Sequence, residues 1–416
     1  NLYARGAGAE AGGGKMKILV INCGSSSIKY SLFEIKGVRE GRLVEGIVEK
    51  IGESSSTFTW KTAKSSFKAG QTITNHKSGL KLILESLTRG PEAVLSSLSE
   101  IFAVGHRVVH GGDLFVESTY ITQEVIDAIR ECAVLAPLHN PPNLMGIEAA
   151  RSLLPGVQQV AVFDTAFHQS MPEQAYIYAI PYELYEKHKI RRYGFHGASH
   201  KYVSRRAVQI LGRKNERLRM ITCHLGNGVS LAAIADGRSI DTSMGFTPLE
   251  GPAMGTRSGD IDPSIVFFLS EKEGLSLSEI NDLLNRKSGL LGISGVSNDL
   301  REIMSQAEKG NHRAELALTI FANRIKKYVG AYAAILGGLD VLVFTGGIGE
   351  NSPFMRERIC EGLGFLGIHI DPEKNREQVG RERILSPPES RVQLLVVPTD
   401  EQLVIARETW ELLHKT

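Results

Sequence analysis

Two stretches roughly 200 residues apart follow one plan, and that plan restricts the fold more than any other feature. Lys17 to Ile35, "KILVINCGSSSIKYSLFEI", is an apolar run, a turn of small hydrogen-bonding residues and a second apolar run. Met220 to Ile234, "MITCHLGNGVSLAAI", repeats the order, with Cys23 and Cys223 expected at equivalent places. Solenoid repeats recur every ~20 to 50 residues, so this spacing points to a duplicated domain instead. Each copy would offer one turn to a shared cleft. The 416 residues agree with two domains of ordinary size.

Strand-like and helix-like segments alternate, which predicts an α/β or α+β architecture. Further strands are expected at Gln158 to Asp164, Arg219 to Leu225, Leu339 to Gly347 and Val392 to Pro398, and an amphipathic stretch at Leu80 to Leu87. Several end in glycine or a polar residue, where open α/β sheets place their ligands. A long helix is expected over Ala314 to Leu336, because Phe321, Ile325, Tyr328, Val329, Tyr332 and Leu336 recur at three- and four-residue steps. The stripe reads as core or subunit packing. Gly337 and Gly338 would stop the helix.

Charge and cysteine usage narrow the function classes. Lys+Arg 48 against Asp+Glu 46 gives a net charge of +2, which argues against a nucleic-acid binder that relies on a broad basic face. No apolar run reaches the ~18 residues of a membrane span, so no membrane partner is expected. The four cysteines are far apart with no C-x-x-C pair, which favours a reducing cytoplasm. The opening "NLYARGAGAEAGGGK" lacks an apolar h-region and reads as a leader or tail of residues 1–15, with folded structure expected from Met16.

Several segments carry candidate chemistry. In "NCGSSS", Asn22 to Ser27, successive N–H groups and hydroxyls can form an anion-binding concavity with Lys29 supplying charge; an ordinary polar hairpin is the alternative. "CHLGNGVS" raises the same pair of readings. "VFTGGIGEN" is a strand entering a glycine turn, with Glu350 and Asn351 placed to start a helix. It matches neither a Walker A loop nor a dinucleotide fingerprint, so a nucleotide site of another type is expected there. Arg107 in "GHRVVHGG" and Arg257 in "PAMGTRSGDIDP" can each fork onto a carboxylate or phosphate. His106 and His110 are expected along one strand, ~13 Å apart, too far to share a zinc ion. Asp164 ends a strand, from which its carboxylate could face a ligand or a hydrated Mg²⁺, or be buried and hydrogen-bonded.

Together these segments resemble the acetate kinase family, within the acetate and sugar kinase, Hsp70 and actin superfamily. The resemblance runs from Met16 to the C-terminus through "VINCGSSSIKYSLFE", "GHRVVHGG", "VFDTAFH", "RRYGFHGASHKYV", "CHLGNGVSLAAI", "GFTPLEGPAMGTRSGDIDP", "FTGGIGEN" and "VVPTDEQLVIARET". It implies two actin-like (ribonuclease H-like) domains with mixed sheets flanked by helices and a cleft between them. Residues 16–167 with 401–416 would form one domain and 168–400 the other. The implied partners are acetate or acetyl phosphate, ATP or ADP, and a second copy in a homodimer. The implied cofactor is Mg²⁺, with Mn²⁺ as a substitute.

Carried over by the resemblance, Asn22 and Glu401 would hold the metal, although Asp400 in "PTDEQ", where the family usually has "PTNEE", competes with Glu401. Ser25, Ser27 and Lys29 would lie by the phosphates, as would His224, Leu225, Gly226, Asn227 and Gly228. Asp299, Leu300 and Arg301 with Gly347, Ile348, Gly349, Glu350 and Asn351 would surround the adenosine. Arg107 would hold the substrate carboxylate, and Val109, Leu138, Phe195 and Pro248 would line its methyl pocket. His196 and Arg257 would stabilise the phosphoryl group in flight, supported by His139. Asp164 is sometimes given a proton-transfer role; because a carboxylate nucleophile is already ionised, positioning of the metal and its waters is the preferred role. Ala198 stands where a threonine is common and is not expected to abolish activity. A propionate or butyrate kinase of the same fold remains the near alternative, and an actin-like ATPase the remote one.

Overall fold

The computed structural model describes residues 15–37, 39–90, 93–137, 139–213, 218–377 and 381–414. Leu138 and residues 1–14, which make up nearly all of the expected leader, lie outside the described residues. The chain divides into two compact units. One holds residues up to Val108, Ser118–Val162 and the chain from Gln402 on; the other holds Val109–Glu117 and Phe163–Glu401. Relative to the boundaries expected from sequence, the second unit takes in 109–117, 163–167 and Glu401 as well.

The first unit is built on β1 (Met16–Cys23), β2 (Ser27–Lys36), β3 (Arg39–Glu49), β4 (Ser56–Lys61), β5 (Ser66–Gln71), β6 (Ile101–Val108), β7 (Thr119–Tyr120) and β8 (Gln158–Phe163). They form one mixed sheet in the order β5-β4-β3-β2-β1-β6-β8-β7, with β1 antiparallel to β2 and parallel to β6. Ile18 to Ile21 are all buried, as a central strand covered on both faces requires. Leu19, Ile21, Tyr30 and Leu32 share a core with Leu80, Ile83, Leu84 and Leu87 of the His76–Thr88 helix and with Ala149 and Ala150. Each such leucine or isoleucine contributes about 1.5–3 kcal/mol on burial. The Glu401–His414 helix comes so close to β6 that a Cβ on Gly105 would stand 2.5 Å from Thr409 Oγ1 and 2.7 Å from Ile405 Cγ2.

The second unit is built on β9 (Arg219–Leu225), β10 (Val229–Ala235), β11 (Arg238–Thr242), β12 (Val341–Thr345), β13 (Arg383–Ile384) and β14 (Gln393–Val396). Their order is β11-β10-β9-β12-β14-β13, and β9, β12 and β14 run parallel. Val203 and Ala207 of the Gly197–Ile210 helix pack on Met220, Ala232, Val341, Val343 and Leu395. The long helix runs His312–Ile335 and lies against β9 and β10. Its N-cap Asn311 accepts from the N–H groups of Arg313 and Ala314, and Gly337 at φ +67° turns the chain away after it. Phe321, Ile325, Val329 and Tyr332 are buried, so this face of the stripe is internal packing. Among the described residues no helix is long and apolar enough to cross a membrane.

Register corrects three local expectations. Cys23 ends β1, whereas β9 continues two residues past Cys223 to Leu225, so the two cysteines are not equivalent and Asn22 corresponds instead to His224. In "TGGIGEN" the helix already begins at Gly346 and ends at Asn351; Glu350 and Asn351 close it. His110 lies beyond the end of β6 at Val108, so it does not share that strand with His106.

Candidate active site

In the first unit the "NCGSSS" turn is a hairpin tip. Asn22 pairs with Lys29 and Cys23 with Ile28, and the Gly24 N–H donates to the Ser27 carbonyl at 2.8 Å. Cross-strand partners share a face, so the Asn22 amide and the Lys29 ammonium emerge together while Ser25 stays exposed. Two residues that no motif announced brace the tip from behind. His76 Nε2 donates to Gly24 O at 2.7 Å, and Asn143 Nδ2 donates to Cys23 O at 2.8 Å. The parallel register Ile21↔His106 then places Asn22 and Arg107 at neighbouring strand ends. His139 occupies the N-cap position of the Asn140–Leu153 helix in the same unit, without a side-chain capping hydrogen bond, and is half-buried.

The second unit gathers the remaining candidates. Gly197 N, in the first turn of its helix, donates to the Asp164 carbonyl at 3.0 Å, which ties Asp164 to the residue after His196. Asp164 is buried. His196 is the N-cap of that helix at φ +56°, a left-handed conformation that side-chain-bearing residues seldom adopt and that concentrates at functional sites. Its Nε2 and the Arg257 Nη1 lie 3.3 and 3.6 Å from the point where Gly228 would carry a Cβ. The space beside Gly228 is therefore faced by an imidazole and a guanidinium together. Arg257 is steered there by a hydrogen bond from Nη1 to the Pro248 carbonyl at 3.2 Å. His196 also stacks on His224, with centroids 4.2 Å apart. Phe195 is buried and meets His110 edge-on at 5.5 Å, and Val109 is buried close by in sequence.

One pocket of about 840 Å³ brings much of the expected nucleotide set together. Gly226, Asn227, Asp299, Leu300, Arg301, Gly347, Ile348 and Asn351 line it. Asn298 Nδ2 donates to Asn227 Oδ1 at 3.0 Å, and Gly346 at φ +76° brings its turn against the Leu225 backbone, where a Cβ would sit 2.8 Å from Leu225 O. Sequence reading missed Met304, Glu308 and Phe354 in this lining. Leu300, Met304 and Glu308 are spaced four apart on one helix, so the periodicity carried a signal that motif matching ignored.

The acetokinase family's sequence profile matches residues 17–407. The chain belongs to the acetokinase family. The acetate kinase of Dictyoglomus thermophilum is 57% identical over 401 residues, covering 96% of this chain and 100% of that protein. That of Thermotoga maritima is 56% identical over 402 residues, covering 96% and 99%. Among solved structures, Porphyromonas gingivalis acetate kinase superposes with a TM-score of 0.90 at 51% identity over 96% of this chain and 100% of that one. A propionate kinase from Francisella tularensis superposes at 0.88 with 44% identity over 94% and 98%.

Within this acetokinase Glu350 does not line the pocket. Its carboxylate turns inward and accepts from Gly346 N at 2.9 Å and Thr399 N at 3.1 Å, joining the glycine turn to the segment that carries Asp400 and Glu401. Burial pushes its pKa up, and these backbone donors pull it back. Thr399 Oγ1 donates to Ser199 Oγ at 2.8 Å, and Ser199 lies 2.8 Å from His224 Nδ1. Gly349, also inside, accepts from the fully buried Arg356 at 2.7 Å. All four cysteines are buried and outside disulfides, and burial pushes the thiols of Cys23 and Cys360 up to about 12, which rules them out as nucleophiles.

Proposed function

We propose that this chain catalyses the reversible, Mg²⁺-dependent transfer of the terminal phosphoryl group of ATP to the carboxylate of acetate, giving acetyl phosphate and ADP by direct in-line displacement. The observation that carries the reading is the convergence of His196 Nε2 and Arg257 Nη1 beside Gly228, two residues from Gly226 and one from Asn227 at the nucleotide-sized pocket. Donors aimed at a point where phosphoryl charge accumulates are what this chemistry needs, since positioning and electrostatic stabilisation supply most of the catalysis. Acetate is ionised at neutral pH and requires no base.

Arg107 holds the acetate carboxylate, and Val109, Phe195 and Pro248 enclose its methyl group. Ser25, Ser27, Lys29 and His224 contact phosphate oxygens. Asn22 and a carboxylate of Glu401 offer hard oxygen donors of the kind Mg²⁺ accepts, with Asp164 placing its waters. Bound there, the ion neutralises phosphate charge. A pocket that senses only methylene groups discriminates by about 1–3 kcal/mol each, so propionate is a secondary substrate. The similarity to a propionate kinase supports the same point.

A homodimer is the proposed assembly, through the second unit. Its Ser264–Lys272 helix leaves Phe267 66% and Phe268 58% exposed, which suits a buried subunit contact better than water. The four free thiols suit a reducing cytoplasm. The deciding experiment measures kcat/KM for acetate, propionate and butyrate with hydroxylamine trapping of the acyl phosphate. ATP hydrolysis without trapped acyl hydroxamate would sink the reading in favour of an actin-like ATPase. Asp164→Asn should weaken the Mg²⁺ response; an unchanged Mg²⁺ response with a shifted pH profile would instead favour proton transfer by Asp164.

A further inference from the structure

Behind His196 runs a chain of buried hydrogen bonds that the transfer described above does not use. Ser230 Oγ lies 2.9 Å from His196 Nδ1 and 2.7 Å from His200 Nε2, and His200 Nδ1 lies 2.7 Å from Thr222 Oγ1. Thr222, His200 and Ser230 have 0% exposure. The fold brings them together because His196 and His200 are one turn apart at the start of the Gly197–Ile210 helix, which packs on β9 and β10, where Thr222 and Ser230 reside.

The protons of this chain can be placed by elimination. Among the described residues the Thr222 hydroxyl bonds only His200 Nδ1, and the Ser230 hydroxyl bonds only the two imidazoles. A buried O–H or N–H without an acceptor is strongly disfavoured. If His196 Nδ1 donated to Ser230, Ser230 would have to donate to His200 Nε2. His200 would then donate from Nδ1 to Thr222, and the Thr222 proton would have no acceptor. If Ser230 accepted from both rings, its own proton would be stranded. A doubly protonated His200 is opposed by burial, which holds its pKa well below the usual histidine range, with His168 and His224 adding to the effect. One arrangement satisfies every donor. Thr222 O–H donates to His200 Nδ1, His200 Nε2–H donates to Ser230 Oγ, and Ser230 O–H donates to His196 Nδ1.

We propose that Thr222, His200 and Ser230 are positioning residues that hold His196 as the neutral Nε2–H tautomer, so that it meets the phosphoryl group as an uncharged hydrogen-bond donor. This rests on the reading that His196 faces that group. The division of labour with its neighbour is physical: Arg257 brings the permanent charge to the space beside Gly228, and a second full cation there would be repelled. The stacked His224 ring crowds the same side. A neutral donor adds a directed hydrogen bond without that repulsion.

The test is the ring-nitrogen spectrum of the full-length protein labelled with ¹⁵N histidine, His196 being assigned with a His196→Gln variant. At pH 7.5 the wild type should show a protonated Nε2 and an unprotonated, hydrogen-bonded Nδ1 at His196. An Nδ1–H ring or an imidazolium would overturn the proposal. Ser230→Ala should let the His196 tautomer mix and lower kcat about 10- to 100-fold, the usual effect of removing a supporting partner, while KM for ATP and acetate moves less than about threefold. Thr222→Val keeps the side-chain shape and should act in the same direction, with Thr222→Ser restoring both signals. Loss of activity in Thr222→Val with an unaltered His196 spectrum would reduce the chain to packing and refute the relay. Failure of the underlying reading looks different: His196→Ala would then retain the wild-type kcat whatever the tautomer.

Discussion

Replacing Arg356 should open the nucleotide turn from behind, and lysine should not rescue it. The guanidinium is fully buried and makes four hydrogen bonds: Nε to Asn375 Oδ1 at 2.7 Å, Nη2 to Asn375 O at 2.9 Å, and Nη1 to Gly349 O at 2.7 Å and Glu350 O at 3.1 Å. Charged hydrogen bonds contribute about 1.5 kcal/mol or more each, so the four together amount to roughly 6 kcal/mol. Opposing them is the burial of the charge, which pushes the Arg356 pKa down from 12.5 to about 10. At ~1.4 kcal/mol per pKa unit that costs at most about 3.5 kcal/mol. The net is roughly 2.5 kcal/mol, which Arg356→Met removes. Arg356→Lys retains the buried charge but can reach about two of the four acceptors, so its gain and cost nearly cancel and it loses a similar amount. Hydrogen exchange of the 346–351 amides, read by mass spectrometry, should accelerate about 60-fold in both variants, because each 1.4 kcal/mol is a factor of ten. KM for ATP should rise while KM for acetate stays put. A lysine variant within about 1 kcal/mol of wild type would show that charge, not fork geometry, holds the turn.

Acid should destabilise the fold through its buried histidines. Burial pulls His106, His110 and His168 down from 6.5 to about 4, so each is neutral in the folded protein above that value. The unfolded chain binds the extra protons between about pH 6.5 and 4, so stability falls as pH falls through that window, by up to about 3 kcal/mol per histidine. Denaturant midpoints that stay flat from pH 7 to 5 would contradict this. Gly228→Ala would place a methyl 3.2 Å from His196 Cε1 and 3.6 Å from Arg257 Nη1. It should lower kcat about 10- to 100-fold with little change in melting temperature, since small displacements of reacting groups cost that much. An active, wild-type-like Gly228→Ala would remove the space beside Gly228 from the transfer. Phe268→Glu should yield monomers on sedimentation; an unchanged oligomer would move the contact elsewhere.

Some of this was legible in order and some was not. The two hairpins announce themselves as paired apolar runs around a turn of small residues, because both faces of a central strand are covered, and the long helix by three- and four-residue steps, because one face of it is buried. Helix starts are less visible: "GGIGEN" reads as a glycine turn with a helix starting only at Glu350 and Asn351, yet the helix opens at Gly346, whose missing side chain lets the turn approach the Leu225 backbone. Glu350 looks like a ligand residue beside the glycines, but in the fold its carboxylate is occupied by Thr399 N, 49 residues away.

By itself, the sequence determined which residue types are available at the ends of strands: Asn22, Arg107, Asp164 and His224, each placed there by local strand propensity and turn chemistry. It also determined the two hairpins, since similar segments impose similar local pairing wherever they fold. Only the tertiary structure decided which polar groups face outward and which are held from behind. His76, Asn143, Ser199, Ser230 and Arg356 support functional turns through contacts 30 or more residues away or through burial, apart from Arg356, whose acceptors on the glycine turn lie seven and six residues before it. Such contacts leave no periodic signature. A hydrogen bond depends on distance and direction in space, and sequence spacing carries that information only inside one regular element.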